Sequence, residues 1–385
     1  MKSPNRFQFG LPSSRALRYT AAIFLAAVTA ASCGDSGDEQ APGPRREVLQ
    51  SITDVVIIPT YRALATRLDA LAVATEALRQ APTSTNLSAA QEAWRVARHP
   101  WKQSEAFRFG PSESLQLRAA TKIDWSPVVP QRIEEQIAGS NEINAAYIDT
   151  LGTNRRGFLA IEYLLFDVDA GDAEVMARLQ GDDGGRRLAY AAAVAADIAL
   201  QAHRLAEAWA AEGGNYRFQL IAAGEESEAF ESLKDAVDTL VGAVVLLSNT
   251  IEENKIGRPF GTKSNGEPRP ESVEAARSAN SVADILDNLE SIENVYLAEY
   301  ESNGGLGLSS LVVRSSPEID AEIRDALART KQAVRGISSP LSEAIFDARP
   351  TVQAALDAAG ELRLALAVDL VSALGATPKF VGDGD

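Results

Sequence analysis

The sequence predicts an all-α protein built of two helical bundles. From Glu47 onward, apolar residues recur at spacings of three and four with no sustained two-residue alternation, the period of helices buried along one face. Ala and Leu are abundant and aromatic residues make up only 6% of the chain, which favours helix over sandwich or barrel. A Gly213-Gly214-Asn215 break leaves two segments, 47–212 and 213–385, each with enough helical pattern for a bundle.

Ahead of the bundles, residues 1–32 read as an export signal. Lys2, Arg6, Arg15 and Arg18 form a basic region, an apolar stretch runs from Tyr19 through Val28, and small residues lead to Cys33. About a dozen apolar residues are too few to span a bilayer as a helix, which needs roughly 20. Ala30-Ala31-Ser32-Cys33 resembles a bacterial lipobox, so Cys33 is expected to be acylated and to hold the protein on a membrane surface, with 33–46 as a polar tether. Gly34 after the cysteine favours the outer membrane, facing the periplasm. Cys33 is the only cysteine, so neither an intramolecular disulfide nor a thiolate metal cluster is expected.

The helices then follow in order, each bounded by Gly, Pro or Asn. The pattern predicts helices over about 48–80, 86–108 with a kink at Pro100, 130–148, 155–167, 184–212, 226–254, 278–300, 317–334 and 339–373 with a break near Pro350. Residues 257–270, rich in Gly, Pro and Asn, read as a long surface loop, and Asn303–Gly307 punctuates the later half. With 45% hydrophobic and 23% charged residues the chain can bury a core. Its formal net charge of −16 describes a solvated acidic surface that repels nucleic acid.

Two segments could carry chemistry. In the first, Trp94, Arg98, Trp101, Glu105 and Arg108 fall at intervals of four, three, four and three, on one helix face. The structural reading is two core tryptophans and a Glu105–Arg108 ion pair; the functional one is that Arg98, Glu105 and Arg108 line a cleft. In the second, Glu162 stands among Phe158, Ile161 and Leu165, where a carboxylate needs a partner. Leu159 shares its face but cannot bind a metal. His99 and His203 are the only histidines, too few for a three-histidine site, and each reads as a hydrogen-bonded helix residue. No zincin, P-loop, dinucleotide or haem-attachment motif occurs.

Several segments, in order, resemble the imelysin family: AWRVARHPWKQSEAFRFGP (Ala93 to Pro111), IDWSPV, RGFLAIEYLLFD, NKIGRPFG, SANSVADILDNLESIENVYL, GLGLSSLV and the C-terminal VDLVSALGATPKFVGDGD. The resemblance implies two packed helical bundles, export, and a place in iron-related bacterial envelope physiology. The family's proposed metal motif is Gly-x-His-x-x-Glu; the matching residues here are Gly157, Leu159 and Glu162, without the histidine. Resemblance and polar character together place Arg98, Glu105, Arg108, Asp124, Glu162, Asn280 and Ser281 around a cleft between the bundles, although Asn280 and Ser281 also read as plain helix caps. The expectation is a tethered, non-catalytic binding protein handling iron, haem or an envelope protein partner. Any iron or other divalent metal would be held by carboxylates, with Glu162 and Glu105 the candidates. The rivals are a metallopeptidase using Glu162 with His99 or His203, and a structural lipoprotein with protein partners only.

Overall fold

The computed structural model describes residues 42–338 and 340–380, so the signal segment, Cys33 and most of the tether lie outside the described residues. Nine principal helices organise it: α1 (Pro42–Ile52), α2 (Ile58–Gln80), α3 (Ser84–Lys102), α4 (Phe158–Leu165), α5 (Gly184–Trp209), α6 (Leu233–Thr250), α7 (Ser281–Leu297), α8 (Pro317–Arg335) and α9 (Arg349–Leu364). One two-stranded antiparallel ribbon, Glu299–Tyr300 against Asn303–Gly304, follows α7.

The bundles form where the apolar faces predict. Helix α2 packs along α3 and α5, with α4 against α5; α6, α7, α8 and α9 form the second bundle, and α3 meets α7 across the seam between them. Leu64, Leu68, Leu71, Leu87, Trp94 and Leu205 are buried in the first bundle, and Leu240, Val244, Ile285, Leu289, Ile323 and Leu362 in the second. The described residues all belong to one compact unit. Helix α1 packs against α6 although the sequence division puts it in the first segment, because the π-helical turn Thr53–Ile57 carries one continuous helix from one bundle to the other. No described helix is long and apolar enough to cross a membrane.

Three sequence expectations need correction. The helix expected to reach residue 108 ends at Lys102, followed by the 3-10 turn Glu105–Phe107. Pro100 sits in its last turn, and the carbonyls freed there find partners: Ser104 Oγ donates to Trp101, Asn288 Nδ2 to Lys102 and Ser291 Oγ to Gln103. Two of these donors belong to α7, so the other bundle caps α3. The 130–148 helix is split into Pro130–Ala138 and Ala145–Asp149, the second started by Asn144 accepting from the Tyr147 amide. Helix α6 starts at Leu233 rather than near 226, because Ser232 caps it by accepting from the Asp235 amide.

Candidate functional site

The seam between α3 and α7 encloses a cluster of charge. The Arg98 side chain is fully buried and its Nε lies 3.0 Å from both carboxylate oxygens of Asp284, with Nη2 2.7 Å from Oδ2. The same guanidinium reaches Glu274 at 2.9 Å and Asp124 at 3.3 Å, and lies over the rings of Trp94 and Phe158. One turn on, Lys102 donates to Glu105 at 2.8 Å, to Asp124 at 3.0 Å and to Glu274. Lys255, on the π-helical segment Ile251–Gly257, reaches Glu274 at 2.7 Å and Glu105 at 3.5 Å. Asn288 adds a donor to Glu105 at 3.0 Å, and the Trp101 indole donates to Asp124 at 3.0 Å.

Burial of so many ions is tolerable only because they face one another. Burial works against the Lys102 ammonium, but Asp124, Glu105 and Glu274 hold its pKa well above the ordinary value. Burial likewise opposes the Glu105 carboxylate, yet Lys102 and Lys255 bring it down to about 2. Glu274 is held well below the carboxylate range, with Lys102, Lys255 and Arg98 overcoming its own desolvation. Arg98, Lys102 and Lys255 are therefore the counter-ions of Asp124, Glu274, Asp284 and Glu105.

Glu162 lies beside this cluster on α4. The start of α4 depends on Gly157, whose φ of 84° is open to glycine and whose added Cβ would stand 2.7 Å from the Ile123 carbonyl oxygen. That close approach sets α4 against the segment carrying Asp124. Glu162 is 2% exposed; its Oε1 accepts from the Ser278 amide at 2.9 Å and from the Ser278 hydroxyl at 2.8 Å. Burial raises its pKa against the pull of those bonds and of Arg98 and Arg277. With Leu159, it lines a cleft of about 480 Å³ between α4 and the segment 270–277, whose other walls include Val128, Val168, Val273, Glu274 and Ala276.

Of the residues singled out from sequence, Arg98, Glu105 and Asp124 converge in the cluster. Asn280 joins through Asp284 Oδ1 at 2.8 Å, and Ser281 through its bond to the Glu274 carbonyl. Neither caps α7 with its side chain, which corrects the capping reading. Arg108 pairs with Glu113 at 3.0 Å instead of Glu105, because the helix that would have placed Glu105 and Arg108 on one face ends before them. His99 binds Asp287 at 2.7 Å and His203 binds Asp69 at 2.9 Å, so each has a carboxylate partner away from Glu162. Lys102, Lys255, Glu274, Asp284, Asn288 and Ser278 went unnoticed in the sequence. Lys102 alone left a signal there, four residues after Arg98 on the same face.

These donors do not fit a resident divalent metal. The cluster's carboxylates are already bonded to Arg98, Lys102 and Lys255, Glu162 has apolar Leu159 one turn away, and among the described residues no group of three His, Cys, Asp or Glu side chains could hold an ion.

The imelysin family model matches residues 57–368. Iron-regulated protein A of Synechococcus elongatus is 29% identical over 309 residues, which cover 80% of this chain and 80% of the relative. Two solved structures share the fold. One, assigned to an iron-regulated protein A precursor from Parabacteroides distasonis, has a TM-score of 0.72 at 23% identity, covering 88% of this chain and 97% of the other. An imelysin-like protein from Psychrobacter arcticum has a TM-score of 0.68 at 18% identity, with coverage of 88% and 98%.

Proposed function

The chain belongs to the imelysin family, and from that premise we propose that it is an exported binding protein of iron-linked envelope physiology, using the cleft beside Glu162 and hydrolysing no peptide. The observation that carries this reading is Leu159. It stands in the cleft wall where the family motif has its histidine, one helical turn from Glu162. A metallopeptidase needs several ligands around one ion and an open position for water. Here one carboxylate faces an apolar wall, and the neighbouring acids already hold internal cations.

The iron connection rests on the 29% identical relative, whose name describes regulation by iron. Tethering rests on the sequence around Cys33: acylation there would hold the protein on a membrane surface, consistent with a periplasm-facing outer-membrane lipoprotein. The iron-linked role is then exercised by binding a ligand or an envelope partner rather than by metal-dependent chemistry.

Metal analysis and thermal unfolding of the purified protein, before and after chelation, test the central claim. A resident site with metal at a hundred times its Kd would add about 2.7 kcal/mol of stability. The expected result is no stoichiometric iron or zinc, no loss of stability on chelation and no cleavage of peptides. Stoichiometric metal whose removal destabilises the fold, or chelator-sensitive cleavage abolished by Glu162→Gln, would overturn it.

A further inference from the structure

The cleft beside Glu162 combines apolar walls with a negative floor and mouth. Leu159, Val273 and Ala276 supply the walls; Glu162 lies at the floor, and Asp169 and Glu271 at the mouth. Arg277 is the one cation among the lining residues, and its guanidinium lies over the Tyr163 ring, 5.3 Å from the centroid. Glu162 is almost wholly buried, yet only its Oε1 accepts hydrogen bonds from the described residues, both from Ser278; Oε2 is left to the cleft. An oxygen that opens onto the cleft from a carboxylate otherwise enclosed by protein is an acceptor available to a ligand's donor.

The chemistry that fits is a cation needing one carboxylate and a dry stem. A divalent metal needs several oxygens, and two of the other cleft acids are committed: Asp167 to Arg178 at 2.9 Å, Glu274 to Arg98, Lys102 and Lys255. An anion would meet carboxylates at floor and mouth. An alkyl-ammonium or alkyl-guanidinium group instead lays methylenes along Leu159, Val273 and Ala276 and delivers N–H donors to Glu162.

Resting on the reading of this cleft as the binding site, we propose that it takes an organic cation, a primary ammonium or guanidinium on an aliphatic stem, with its head at Glu162 Oε2. The cation is either a free amine or the Lys or Arg side chain of a peptide.

Isothermal titration of the intact protein with agmatine, with 1,5-diaminopentane, and with short blocked peptides carrying a central Lys, Arg or norleucine tests this. Saturable binding of a cationic probe is expected, with norleucine peptide weaker by at least about tenfold than the lysine peptide if peptides bind. Glu162→Gln keeps an acceptor for Ser278 and should lose a similar factor; Ala276→Trp fills the cleft and should abolish binding. If agmatine or the diamine binds as tightly as the peptides, the source is a free amine; if only the peptides bind, it is a polypeptide side chain. The proposal falls if no cationic probe binds, if norleucine binds as well as lysine, or if Glu162→Gln binds unchanged while circular dichroism shows it folded. A neutral ligand blocked by Ala276→Trp but indifferent to Glu162→Gln would sink the cation and leave the cleft as a binding site. Metal-dependent cleavage of the same peptides would sink both.

Discussion

Arg98 on α3 and Asp284 on α7 form a forked ion pair across the seam, with Nε 3.0 Å from both carboxylate oxygens and Nη2 2.7 Å from Oδ2, both side chains out of reach of water. Removing Arg98 strands Asp284 as a buried charge, whereas removing Asp284 leaves Arg98 its contacts with Glu274 and Asp124. Arg98→Ala should cost about 3–5 kcal/mol in denaturant unfolding, and Asp284→Ala less than that. The paired Arg98→Met, Asp284→Leu change should cost clearly less than the two single losses added together, because Asp284 is no longer left without its cation while Glu274 and Asp124 keep Lys102.

Gly157→Ala probes the start of α4. The new methyl would meet the Ile123 carbonyl oxygen at 2.7 Å in a left-handed backbone. A loss of about 1–3 kcal/mol is expected from the conformation alone, more if Ile123 cannot move, read as a lowered Tm. Stability equal to the parent would show that α4 is not fixed by this contact.

Glu162 carries a pH signature of opposite sign to most acids. Burial raises its folded-state pKa, so the native state holds its proton more tightly than the unfolded chain. Folding is penalised as pH rises above the ordinary carboxylate value and through the folded one. Glu162→Gln should therefore be more stable than the parent at neutral pH, with the gain vanishing in acid, as followed by Tm from pH 4 to 8.

Glu105 behaves in the reverse sense. With its folded pKa brought down to about 2, it contributes stability above the unfolded value that is lost as pH falls toward 2. The contribution at neutral pH is at most about 3 kcal/mol. Glu105→Gln should be destabilised at pH 7 and converge on the parent at low pH; a difference constant with pH would mean the charge is immaterial.

The all-helical class and the order of the bundles were legible because helix periodicity and punctuation are local signals. Arg98, Glu105, Asp124 and Glu162 stood out as polar residues in apolar surroundings, which burial must explain. The end of α3 was hidden, since the side chains capping it, Asn288 and Ser291, come from another helix far along the chain. Lys102 shares a helix face with Arg98, but its partners Asp124 and Glu274 lie far along the chain, and Glu274 lies in an irregular segment without a period. Their partners exist only after the bundles meet.

Lys255 owes its place to the π-helical turn of residues 251–257. Such a turn inserts a residue into the regular repeat, and a shift of one residue advances helical phase by about 100°. Deleting one residue there would leave the composition and hydrophobic pattern nearly intact, yet swing either Lys255 away from Glu274 or Ile256 out of the core. The counter-charge of the seam is thus written in the length of a seven-residue segment as much as in its letters, and a homologue with the same lysine but one residue fewer would be a different electrostatic object.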